Sequence, residues 1–121
     1  MIIALWILTI LLTVAFLGAG IMKATRPKAK LIESGMGYAE DFSAGAVKLI
    51  GIAEVVGALG LVLPLATGIV PVLSPIAATA LAVLMVGAVV VHVRRKETIA
   101  PALALTLLSA ATAVLGFLTL G

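Results

Sequence analysis

Four ionisable side chains lie inside or at the ends of strongly apolar stretches, and these residues are the ones best suited to chemistry. They are Glu54, Lys23, His92 and Lys48, which form the candidate ligand-binding set. A carboxylate inside a lipid-embedded helix is costly unless it is protonated, paired or hydrated. The position of Glu54 therefore indicates one of two roles. Either Glu54 belongs to a polar site that binds a headgroup or a quinone or relays a proton, or it is a structural clamp between helices.

The spacing of these residues restricts the partner of Glu54. Lys48 precedes Glu54 by six residues, which corresponds to about 9 Å along a helix and a rotation of about 600°. The two side chains therefore leave the helix on different faces, and Lys48 is expected to extend to the headgroups. The partner must come from another helix, and both Lys23 and His92 lie at a suitable depth.

Several kinds of catalytic site are excluded by residue content. The chain has no cysteine and one histidine, so it supplies no dithiol, no disulfide, no cysteine-bound iron–sulfur cluster and no bis-histidine haem. His92 beside Arg94 is typical of a membrane interface, and no metal site is predicted. No phosphate loop, catalytic carboxylate pair or nucleophile–base pair is present, so we expect the chain not to be catalytic on its own, with no intrinsic cofactor.

The composition predicts that these residues are positioned by membrane-spanning helices. Hydrophobic residues make up 64% of the 121 residues, charged residues make up 11%, and the mean hydropathy is +1.37. Soluble domains carry about 25% charged residues. The sequence therefore predicts an all-α polytopic membrane protein, a single four-helix transmembrane domain over residues 1–121. The predicted helices cover about 2–22, 44–63, 73–92 and 99–120.

The connections between these helices differ strongly in charge. The first, residues 23–43, contains four basic residues and the third contains three, whereas the second connection, a turn over residues 64–71, contains none. The positive-inside rule places the basic connections in the cytoplasm and both termini outside. We expect the membrane to be the bacterial inner membrane. The formal net charge of +3 is explained by these helix ends, and no nucleic-acid partner is predicted. The first apolar run lacks a basic start and is read as a retained helix rather than a signal peptide.

Residues 23–43 are expected to lie on the membrane surface without a long helix. Asp41 and Ser43 are candidate N-caps for the second spanning helix.

Small residues predict how the helices pack. Gly51, Gly57 and Gly60 are the candidate helix-packing residues of the second spanning helix, which is expected at the centre of the bundle. The small residues of the fourth helix suit either internal packing or a homo-oligomer, and both alternatives stay open.

The run from Lys48 to Pro64 resembles the central signature of DoxX-like membrane proteins, in which a Gly-x-x-Glu-x-x-Gly core enters a leucine-rich stretch. The end of the first helix around Lys23, the Pro75–Leu81 pattern and the His92-x-Arg94-Arg95 sequence fit the same family. The matching positions are Lys23, Gly51, Glu54, Gly57 and Pro64.

The resemblance implies a four-helix protein linked to quinone-coupled oxidation and to membrane oxidoreductase complexes. We therefore expect an accessory or quinone-proximal subunit with a polar site at Glu54, a bound quinone or lipid, and membrane lipids and an oxidoreductase subunit as partners. The lack of cysteine argues against direct sulfur chemistry. The alternatives are a lipid or small hydrophobic-molecule binder or carrier, whose cavity would open sideways to lipid, and a purely structural membrane partner.

Overall fold

In a computed structural model, which describes residues 1–120, the chain is an α-helical membrane bundle. Gly121, the last residue of the predicted domain, lies outside the described residues. Within the described range, four helices are long and apolar enough to cross a membrane. They are α1 (Ile2–Thr25), α3 (Ala44–Thr67), α4 (Leu73–Arg94) and α5 (Ala100–Leu120). At 24 residues, α1 and α3 are each about 36 Å long, which exceeds a hydrocarbon core of about 30 Å.

The first connection folds into two short helical pieces, α2 (Lys28–Glu33) and a 3₁₀ helix (Gly37–Asp41). Leu31, Ala39 and Val47 form a small buried cluster that attaches this connection to the end of the bundle. The expectation of no long helix here is confirmed. Ser43, one of the two candidate caps, caps α3 by accepting a hydrogen bond from the Ala46 N–H at 3.1 Å.

The boundary predicted for the second spanning helix is wrong by one turn. α3 continues through Pro64 to Thr67, although proline removes its own N–H and its ring crowds the carbonyl four residues earlier. Membrane-spanning helices tolerate this because neighbouring helices and side chains satisfy the freed backbone groups. The helix stops at Gly68, which adopts a left-handed conformation with φ of 70° and donates its N–H to the Pro64 carbonyl. The turn is therefore shorter than the predicted 64–71.

The other helix ends shift by one to three residues. α1 runs to Thr25 because Arg26 precedes Pro27 and takes an extended conformation. α4 runs two residues further than predicted, to Arg94, and α5 begins one residue later, at Ala100.

The spanning helices form a ring of four rather than a bundle around α3, so the prediction of a central second spanning helix is wrong. α1 packs extensively against α3, and α4 against α5, while the α3–α4 and α1–α5 seams join the two pairs. One reason is that the small residues of α3 are divided between two neighbours. Gly51 faces α1, whereas Gly57 and Gly60 face α4.

Candidate functional site

The site begins at the place where α1 and α3 approach most closely. A methyl group on Gly51 would lie 2.7 Å from the Gly20 carbonyl oxygen, and one on Gly20 would lie 2.7 Å from the Gly51 carbonyl oxygen. Real Cβ atoms do not approach other atoms so closely, so only glycine fits at these two positions. The two glycines set the distance between the helices.

An ionisable residue stands three positions after each of these glycines. Because α1 and α3 run in opposite directions, Lys23 lies over Gly51 and Glu54 lies over Gly20. A methyl group on Gly51 would be 2.7 Å from Lys23 Cβ, and one on Gly20 would be 3.0 Å from Glu54 Cβ. The paired Gly-x-x-Lys and Gly-x-x-Glu spacings thus bring the two charged side chains together across the helix interface.

Lys23 and Glu54 form a buried ion pair. Lys23 Nζ donates a hydrogen bond to Glu54 Oε1 at 2.5 Å, and the residues are 8% and 1% exposed. Among residues 1–120, Glu54 Oε2 accepts no hydrogen bond, and Lys23 has N–H groups without an acceptor. The pair is internally neutral, yet it retains one acceptor and additional donors for another molecule.

Two aromatic side chains extend the polar end of the site. Lys23 Nζ lies 5.5 Å from the centroid of the Tyr38 ring, a cation–π distance. The Tyr38 and His92 rings meet edge to face, with centroids 5.5 Å apart and an angle of 77°. Lys23, Tyr38 and His92 therefore follow one another from the interior of the bundle towards its basic end.

Lys23, Glu54, Tyr38 and His92 line one cavity of about 500 Å³ between the four spanning helices. This volume lies within the range of about 300–1,000 Å³ typical of ligand pockets. Apart from the polar end, its walls are apolar, with contributions from Met36, Phe42, Ile50, Leu84, Met85 and Leu105. A mostly apolar cavity with a few converging polar groups is the usual form of a binding site for a hydrophobic molecule with a polar head.

Three of the four predicted ligand-binding residues lie at the cavity, and the fourth does not. Lys23, Glu54 and His92 line the cavity, and of the two partners considered for Glu54 it is Lys23 that contacts it. His92, the alternative partner, instead lies 3.2 Å from Glu97 through its Nδ1. Lys48 is exposed on α3 and lies outside the cavity lining.

The three predicted packing glycines belong to two different helix interfaces. Gly51 serves the α1–α3 interface, whereas Gly57 lies against Leu81 and Gly60 against Ala77 at the α3–α4 interface.

A charged network closes the basic end of the site, and the sequence reasoning did not find it. Arg95 bonds to Asp41 Oδ1 at 3.0 Å and to Glu97 Oε1 at 3.1 Å. The hydrogen bond to Asp41 raises the pKa of Arg95 above its ordinary value, with further contributions from the charges of Asp41 and Glu97. Since Asp41 belongs to the first connection and Arg95 to the third, the two basic connections share one end of the bundle, as expected.

Tyr38 is a cavity-lining residue that the candidate ligand-binding set did not include. Its position in the sequence could have indicated this role. Tyr38 lies between Gly35 and Ser43, two residues that interrupt helical structure, so the first connection can turn back over Lys23.

The sequence was also compared with known proteins. No curated protein matches the chain, and no solved structure matches it. A model of the DoxX-like family matches residues 7–115, a range that contains Lys23, Glu54 and His92. Because this match covers nearly the whole length, the chain belongs to the DoxX-like family of membrane proteins.

Proposed function

We propose that this protein binds a polar-headed hydrophobic molecule of the quinone class beside Glu54 and acts as an accessory, quinone-proximal subunit of a membrane oxidoreductase system. One observation carries the proposal: a buried ion pair with unused donors and an unused acceptor lines a cavity that is otherwise apolar. The carbonyl oxygens of a quinone need donors, which Lys23 and His92 can supply. The hydroxyl groups of the reduced form need an acceptor, which Glu54 Oε2 can supply.

The accessory role follows from the residues that the chain contributes. Electron transfer in such a system is the chemistry of the cofactor, and the protein supplies binding and orientation. With no cysteine and a single histidine, this chain offers no cysteine-bound cluster and no bis-histidine haem. We therefore assign the electron-transferring groups to a partner subunit.

Mass spectrometry of molecules that co-purify with the protein in nanodiscs tests this proposal. We expect a quinone or its reduced form with the wild type and a loss of roughly tenfold or more with Glu54→Gln, because the hydrogen bond that the Glu54 carboxylate accepts from the reduced form contributes about 1.5–3 kcal/mol. Lys48→Gln is the matched control, since it also removes a charge from α3 but lies outside the cavity.

The alternatives give different results in the same experiment. Bulk membrane lipid in equal amounts with all three proteins contradicts the proposal and supports a structural clamp. Circular dichroism and size-exclusion profiles of each variant show whether a loss of ligand reflects the site or the fold.

A second candidate function is the binding or carriage of a lipid or small hydrophobic molecule. It is favoured by Gly87, a cavity-lining residue that is exposed on the outside of α4. A sideways opening of this kind suits a ligand that comes from the bilayer. A defined phospholipid, lost with Glu54→Gln in place of a quinone, identifies this function.

The proposal also includes an orientation, with the basic end of the bundle in the cytoplasm of a bacterial inner membrane. It is supported by the basic connections, which lie at one end. Because the chain has no cysteine, single cysteines at exposed positions test it cleanly. In intact cells, an impermeant maleimide is expected to label Ile69→Cys and to label Thr98→Cys only after permeabilisation. The reverse pattern contradicts the orientation.

A further inference from the structure

The α3–α4 seam is tightly packed in one half of the membrane and open in the other. A methyl group on Gly57 would lie 2.7 Å from Leu81 Cδ2, and one on Gly60 would lie 3.1 Å from Ala77 Cβ. Nearer the basic end, a methyl group on Gly87 would meet no atom within 4 Å. The two helices are therefore in close contact near the Pro64 end and leave a gap on the lipid side near Gly87.

The cavity reaches the lipid-facing surface through this gap. Gly87 is exposed and also lines the cavity, together with Ile50 of α3 and Val91 of α4. Gly87 and Val91 are four residues apart and share one face of α4. The mouth of the cavity is therefore bounded by α3 on one side and by a glycine without a side chain on the other.

A second groove of about 260 Å³ continues from this mouth along the outer side of the same seam, where Val83 is exposed. Its walls are Ala53, Gly57, Ala80, Leu81, Val83 and Leu84. Leu84 belongs to both the cavity and the groove. From Leu84 towards Ala80 the groove leads away from the basic end, in the direction that the chains of lipids in the same leaflet take.

We propose that this groove is a hydrocarbon-chain subsite. The ligand's polar head lies at Lys23 and Glu54, and its chain passes Gly87 and Leu84 into the groove. The inference rests on the proposed function and narrows its ligand to a quinone that carries a long isoprenoid chain. The carboxylate and the groove are continuous through Leu84, so one molecule can occupy both. The residue that sets the width of the mouth is Gly87.

Binding of two probes to the protein in detergent tests the subsite. The probes are a benzoquinone with a decyl chain and the same ring with a methyl group in place of the chain. Gly87→Leu is expected to weaken binding of the decyl compound by roughly tenfold or more, because the new side chain fills the mouth, and to leave the methyl compound unchanged. Gly18→Leu is the matched control, since Gly18 is also exposed in mid-helix with nothing within 4 Å of an added Cβ.

The outcomes separate this inference from the function on which it rests. If the wild type binds neither probe, the proposed function fails and the subsite with it. If the wild type binds the decyl compound and Gly87→Leu binds it equally well, the subsite is wrong while the quinone site stands. An equal loss with Gly18→Leu also overturns the subsite, because the effect then does not depend on the mouth.

Photo-crosslinking of the wild-type protein gives a second measurement that needs no variant. Of a quinone and a phosphatidylglycerol, each with a photoreactive group at the chain end, the quinone is expected to label peptides containing Ala53–Gly57 or Ala80–Leu84. Labelling of these peptides by the quinone supports the subsite, whereas labelling by the phosphatidylglycerol alone overturns the quinone as its occupant. Labelling confined to α1 and α5 overturns it.

Discussion

Replacing Lys23 with methionine is expected to lower the free energy of unfolding by about 3 kcal/mol, because the variant leaves a carboxylate unpaired in an apolar interior. Replacing both residues, as Lys23→Met with Glu54→Gln, is expected to restore most of this loss. Removing both charges also removes both desolvation penalties, and such replacements are often neutral or stabilising. The measurement is the unfolding midpoint of each variant in mixed micelles with increasing dodecyl sulfate.

The double variant separates a clamp from a binding site. Lys23→Met is expected to be unstable whether the ion pair is a clamp or a binding site. A loss of ligand in this variant therefore does not distinguish the two roles. The double variant is expected to fold, yet it lacks the donors of Lys23 and the free carboxylate oxygen of Glu54. We expect it to bind no quinone, whereas a clamp predicts that any bound molecule is retained.

Lys48→Met provides the control for the lysine replacement, since Lys48 is exposed and exposed charges contribute little to stability. A double variant as unstable as Lys23→Met would contradict the energetic argument, because the loss would then not come from the unpaired carboxylate.

The four membrane helices could be predicted because hydropathy reports directly on the solvent around each segment. The partner of Glu54 could be narrowed only to Lys23 or His92, since both lie at a similar depth and one sequence does not give the rotation of one helix against another. A stronger signal was available in the matching Gly20–Lys23 and Gly51–Glu54 spacings. In an antiparallel pair these spacings place each charge over the other helix's glycine.

The errors at Pro64 and in the position of α3 have separate physical causes. Proline is tolerated in membrane-spanning helices, because neighbouring helices and side chains satisfy the backbone groups that it frees, so α3 continues to Thr67. Small residues show where backbones can approach, but not how many neighbours share them. Gly51 faces α1 and Gly57 faces α4. α3 therefore packs against two neighbours, as each helix in a ring of four does.

A cavity opening sideways to lipid was expected only for the carrier alternative, and its lining could not be predicted, because it results from the divergence of α3 and α4 and from the first connection covering the bundle end. Neither feature has a local sequence signature. Tyr38 and Arg95 contribute through contacts with segments distant in sequence.

Gly51→Ala is expected to destabilise the protein by about 2 kcal/mol, although it adds a single methyl group and improves helix propensity. The new Cβ would lie 2.7 Å from the Gly20 carbonyl oxygen and 2.7 Å from the Ala24 nitrogen. These are backbone atoms and cannot turn aside, so α1 and α3 must separate, and overpacking of this kind costs about 1–3 kcal/mol. Separation also lengthens the Lys23–Glu54 contact, so ligand binding is expected to fall together with stability.

The matched control is Gly45→Ala in the same helix, where an added Cβ meets nothing within 4 Å. It is expected to leave the unfolding midpoint and the bound ligand unchanged or slightly improved. Equal behaviour of the two variants would show that α1 and α3 are not in contact at Gly51, and the ion pair would lose its structural basis. A loss specific to Gly51→Ala would instead show that one glycine sets the helix spacing on which the buried charges, and through them the cavity, depend.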